Sequence, residues 1–143
     1  MINKNFVKRK ILLIEDDLEK ISVFKGESFE DISADFIKQA AMERFLERII
    51  NRAIDINQYL ISELLPKDDL TPKSYKDTFM ALAEIDVYSK DFGEKISRSV
   101  GTRNVLVHDY DNTKHEMIYS SIEECLRDYS FYCQQLLDFL EKK

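Results

Sequence analysis

Chain-breaking residues are scarce in this sequence: 3 Gly and 2 Pro among 143 residues. With so few turn formers there is little room for hairpins, which argues against an antiparallel sheet and for long helices. Tryptophan is absent, and there are only 2 Cys and 2 His. Cys125 and Cys133 lie within one helical pattern, so they are expected to be small buried hydrophobes in a reducing compartment. These histidines and cysteines make no metal-ligand spacing, and no zinc centre is expected. Glycines 26, 93 and 101 are scattered. They form no phosphate-cradling loop, and no cofactor is expected. No apolar run approaches the roughly 20 residues that span a membrane. The opening MINKNFVKRKILLIEDD turns acidic straight after its apolar stretch and shows no small-residue cleavage site. No secretory signal is expected, and the expected location is cytoplasmic. The net charge of −6 argues against coating nucleic acid through bulk electrostatics, but leaves room for an enzyme that meets RNA at one local basic patch.

What is present is helical periodicity. Val7, Ile11, Ile14, Leu18 and Ile21 alternate spacings of four and three, one apolar stripe on a first helix. Ser28 with Asp31 has the spacing of an N-terminal cap. Beyond it Phe29, Ile32, Phe36, Met42, Leu46, Ile49, Ala53, Ile56 and Leu60 predict one long helix over 29–65. Ser74 and Asp77 repeat the cap before Phe79, Leu82 and Ile85. A fourth helix begins near Ser89 and carries Phe92, Ile96, Val100, Arg103 and Val107. The last carries Ile118, Ile122, Cys125, Tyr129, Tyr132, Leu136 and Phe139. The expected fold is all-α, a four- to five-helix up-and-down bundle in one domain, 1–143. The long second and last helices could also serve a dimer interface, or their length could simply complete one core.

Arg103 stands on the apolar stripe of its helix. A guanidinium keeps its charge, so it must face a carboxylate, a cavity or an interface. The structural alternative is an ion pair with an acid on the second helix. His108 follows five residues later, about 140° round an ideal helix from Arg103. Asp109, Asp111 and Asn112 suggest that the helix ends there, and a frayed last turn would bring His108 round beside Arg103. In an extended segment beyond it, His108 and Tyr110 would share a side. A fixed cation, a group titrating near neutrality and a phenol suit metal-free phosphodiester chemistry on RNA. One histidine does not conveniently serve both faces of the phosphorus. A two-fold dimer would supply the second, a reason to expect a composite site.

The stretch RNVLVHDY resembles the R-x4–6-H motif of the HEPN superfamily. In its fuller form, R-N-x3-H-x-Y, it is similar to the HepT toxins, and the likeness extends through RAIDINQYLISELL and SYKDTFMALAEIDV. The resemblance implies a homodimeric, metal-independent ribonuclease with Arg103 and His108 as catalytic residues lining a central cleft. It implies that Asn104 supports a neighbour. It also implies a cognate nucleotidyltransferase antitoxin that transfers AMP from ATP to Tyr110. The alternative is a non-catalytic helical module whose polar patch docks a nucleotidyltransferase or a nucleotide.

Arg44, Arg48 and Arg52 form a ladder along the second helix. They could guide an RNA backbone; a solvated face paired with Glu43, Glu47 and Asp55 is the preferred reading. The basic run Lys8, Arg9 and Lys10 is read the same way. His115 is expected to be an exposed polar residue near a helix start. Tyr119, Tyr129 and Tyr132 are expected in the core or an interface.

Overall fold

A computed structural model describes residues 1–66, 72, 74–108 and 113–143. Among them run eight helices: α1 (Lys4–Ser22), α2 (Phe29–Ser33), α3 (Phe36–Leu64), α4 (Tyr75–Glu84), α5 (Lys90–Ser97), α6 (Ser99–His108), α7 (Thr113–Ser120) and α8 (Ile122–Glu141). They fall into five columns, because α2 and α3, α5 and α6, and α7 and α8 are separated by only one or two residues. None of these helices is long and apolar enough to cross a membrane. All five stripe residues of α1 are buried, as are Met42, Leu46, Ile49, Ala53, Ile56 and Leu60 of α3. Their spacing puts each set on one helix face, and the two faces meet.

The helix expected over 29–65 is broken. Asp35 adopts an extended conformation, and its Oδ1 accepts the amides of Ile37 and Lys38 at 3.0 and 3.3 Å. A side-chain acceptor there satisfies the first amides of α3 and starts a new helix. Ser28 caps Asp31 at 3.1 Å as its spacing implies, but caps only the five-residue α2. Phe36, read as part of the stripe, is 79% exposed. The fourth helix breaks at Arg98. There the Ser99 hydroxyl donates to the Ile96 carbonyl at 2.7 Å and lies 2.6 Å from the phenol of Tyr129. The last helix breaks at Ser121, whose hydroxyl donates to the Ile118 carbonyl at 2.7 Å. At all three breaks a short polar side chain competes with the helical ladder for backbone groups.

Helix α3 packs against α1, α2, α4 and α6, which cover most of its apolar surface and leave Phe36 and Ile37 exposed at its start. A buried polar chain then ties α8, α3 and α4 together. The Tyr132 phenol donates to Asn57 Oδ1 at 2.6 Å, the Asn57 amide donates to Thr78 Oγ1 at 3.2 Å, and the Thr78 hydroxyl donates to the Tyr75 carbonyl at 2.6 Å. Each group is satisfied, so burial of this chain stabilises one relative placement of the three helices. It ends at Tyr75, the first residue of α4. Cys125 and Cys133 are buried thiols, both pushed up to about 12 chiefly by burial.

Candidate functional site

Helix α6 carries Arg103, Asn104 and His108. The Arg103 side chain reaches two other helices. Its Nε donates to Asn51 Oδ1 of α3 at 3.0 Å, and its guanidinium lies over the Tyr75 ring of α4, 5.0 Å from the centroid. Nη1 donates to Asn104 Oδ1 at 3.3 Å. Asn104 therefore holds one end of the arginine. Ser74 places Tyr75, because its hydroxyl caps α4 by accepting the Asp77 amide at 3.2 Å. The alternative, an ion pair with an acid on the second helix, is absent among the described residues. The α3 partner is a neutral amide. Neutral acceptors and a π face fix a guanidinium without cancelling its charge, which suits a group that must meet an anion.

His108 is exposed and still helical. The frayed turn expected to swing it beside Arg103 does not form. On an ideal helix residues five apart leave the axis about 140° apart. Tyr110 lies outside the described residues.

The arginine ladder divides. Arg44 pairs with Glu47 at 2.8 Å, in line with the paired face. Arg48 and Arg52 do not join it. Arg48 Nε and Arg52 Nη1 both reach Oδ2 of Asp17 on α1, at 3.2 and 2.6 Å, and Arg52 also donates to the Leu13 carbonyl at 3.2 Å. Asp17 is fully buried. Of the other acids expected to pair with the ladder, Asp55 meets Lys10 at 3.5 Å, and Glu43 meets His115 and Gln39. His115 is thus half-buried and bonded to α3 rather than a free surface residue. Tyr129 and Tyr132 are core residues, and Tyr119 bonds the Glu27 carbonyl.

Asn51, Tyr75 and Asp17 escaped the sequence reading. Asn51 is one polar residue among many on a long helix, with no signal of its own. Tyr75 had a usable signal, since an aromatic directly after the Ser74 cap is placed rigidly at a helix start. Asp17 had one too, because it sits beside Leu18 at the edge of the buried stripe.

Residues 14–136 match the family model described as Ribonuclease HepT-like. The chain belongs to the HepT-like ribonuclease family. It is 29% identical over 136 residues to a tRNA nuclease HepT of Aphanizomenon flos-aquae, covering 94% of this chain and 89% of that one. An mRNA nuclease HepT of Shewanella oneidensis is 24% identical over 132 residues, covering 92% and 93%. Among solved structures, the tri-AMPylated HEPN toxin of Shewanella oneidensis in complex with its MNT antitoxin superposes with a TM-score of 0.80 at 22% identity, over 96% of this chain and 99% of that one. This HepT-like chain therefore shares the HEPN toxin fold, with α6 carrying R-x4-H.

Proposed function

We propose that the chain is the toxin of a toxin–antitoxin pair, a cytoplasmic, metal-independent endoribonuclease that acts as a homodimer of one HEPN-like domain, 1–143. The observation that supports this best is Arg103. Its guanidinium is held by Asn51, Asn104 and Tyr75, all neutral, on the same helix as an exposed histidine. In the reaction, a neutral histidine takes the proton of the ribose 2′-hydroxyl, whose oxygen attacks the adjacent phosphorus. A protonated histidine gives a proton to the departing 5′-oxygen, leaving a cyclic phosphate and a 5′-hydroxyl. Arg103 holds the phosphate oxygens as negative charge builds on them. Since one histidine does not conveniently serve both faces of the phosphorus, the site is completed by the second copy, which supplies the second histidine.

Regulation follows the same reading. A partner nucleotidyltransferase joins the Tyr110 oxygen to the α-phosphorus of ATP, releasing pyrophosphate and the phenol proton. The added phosphate competes for Arg103, and the adenosine fills the cleft.

Expression alone should arrest bacterial growth, and His108→Ala should relieve the arrest. RNA carrying a 2′-deoxy sugar at the scissile position should resist cleavage. Co-expression with the transferase should add AMP-sized mass increments that vanish in Tyr110→Phe. A chain that binds the transferase but neither arrests growth nor cuts RNA would be a binding module instead.

A further inference from the structure

A cleft of about 420 Å³ opens beside the arginine site between α3, α4 and α6. Its walls include Gln58, Tyr75, Lys76, Val100 and Asn104, with buried Thr78 beneath. We propose that this cleft is a nucleobase subsite that takes the unpaired nucleotide next to the phosphate gripped by Arg103. The proposal rests on the ribonuclease reading and names the substrate class of that same site.

The volume lies within the roughly 300–1,000 Å³ of small-ligand sites, room for one nucleotide but not for a duplex. Tyr75 is 39% exposed, and its backbone is pinned by Thr78 and the Ser74 cap. Its ring is therefore placed before any ligand arrives. Its stacking on the Arg103 guanidinium couples the cleft directly to the phosphate site. An aromatic wall beside a fixed cation is the pattern by which single-stranded RNA is held, base against ring and phosphate against charge.

The remaining walls fit the same ligand. Gln58 and Asn104 carry amides, which can donate to and accept from a base edge. Asn104 already accepts from Arg103 through Oδ1, which leaves its amino group to donate. Lys76 is exposed and supplies a second cation for the neighbouring phosphate. No carboxylate lines the cleft among the described residues, although the chain carries 27 acids against 21 basic residues. A base must leave its stack to enter, so the substrate is single-stranded or looped RNA.

The test uses a short fluorescent single-stranded RNA, intact or with one abasic site moved along it. Its affinity is measured by anisotropy on His108→Ala protein, and its cleavage on wild-type protein. One abasic position beside the cleaved phosphate should weaken binding roughly tenfold. Gln58→Ala and Lys76→Ala, neither of which touches Arg103, should each weaken binding of intact RNA several-fold. In Gln58→Ala the abasic penalty should shrink, since the two changes remove one contact. A flat abasic scan with wild-type protein still cutting RNA would overturn the subsite and leave the ribonuclease reading standing. Abasic and Gln58 effects that are non-additive, with no cleavage of any RNA, would uphold the subsite and overturn the ribonuclease reading.

Discussion

Two adjacent residues of α3, Asn51 and Arg52, serve two arginine clusters of opposite character. Arg52 and Arg48 close on the buried carboxylate of Asp17, at 2.6 and 3.2 Å. Asn51 instead holds Arg103, whose described partners are two amide oxygens and a phenol ring. In the first cluster the opposite charges meet, so the cations serve the fold by fastening α1 to α3. In the second the positive charge is fixed in place by neutral groups, the setting the proposed reaction needs. The lesson is that an arginine's partner, rather than its burial or its helix, separates a structural role from a chemical one. Arg48 and Arg103 are both half-buried, and the group opposite each tells them apart.

The largest effect expected is on chemistry. Arg103→Ala and His108→Ala should each lower cleavage about 10²–10³-fold, the loss seen when one transition-state donor is removed. The thermal melt should stay within a few degrees of wild type. A melt that collapses with Arg103→Ala would move it into the class of Arg52.

Asp17→Ala tests the other cluster and should do the reverse. Removing one member of a buried ion pair costs about 3–5 kcal/mol. Both arginines reach solvent (side chains 34% and 19% exposed), so about 3 kcal/mol is expected, measured by urea unfolding. Asp17 Oδ1 has no described hydrogen-bond partner, so Asp17→Asn should recover only part of the loss. Cleavage per folded molecule should hold.

Asn51→Ala sharpens the comparison, because it leaves both charges in place and removes only the anchor of Arg103. A drop of about tenfold in kcat, with stability changed by about 1 kcal/mol, is expected. Asn51→Asp should lower cleavage further, since a carboxylate there would turn the Arg103 cluster into a copy of the Asp17 one.

The smallest effect concerns a third acid, Asp128, buried on α8 with Lys95 3.4 Å away and the exposed Arg127 at 4.0 Å. Burial pushes its carboxyl above the ordinary value of 3.8, against the pull of the Lys95 ammonium. The folded chain then holds this proton to higher pH than the unfolded chain, so stability falls as pH rises from the ordinary carboxylate range through the raised folded value. Asp128→Asn should flatten that slope and leave stability at pH 7 unchanged or higher, read from melts at several pH values. A clear loss at pH 7 would show that exposed cations balance a buried acid as well as the two arginines at Asp17 do.

The helices, their buried faces and the R-x4-H stretch were all legible in the sequence. Periodicity and capping are local, and a stripe such as Val7 to Ile21 can be buried in only one way. Where short polar side chains broke the ladder, at Asp35, Ser99 and Ser121, local preference was too even to read. A few tenths of a kcal/mol separate a continued helix from a new cap there.

The partners of the charges were decided by tertiary structure alone. Arg48 finds Asp17 across 31 residues, and Arg103 finds Asn51 across 52. Periodicity carries no information about such distant pairs. The chain itself determined that Arg103 would stand on an apolar stripe beside Asn104, with His108 a turn and a half along. Only the packing of α3, α4 and α6 decided that the guanidinium would meet amides and a phenol ring, because which helix lies opposite is set by the summed burial of every stripe at once.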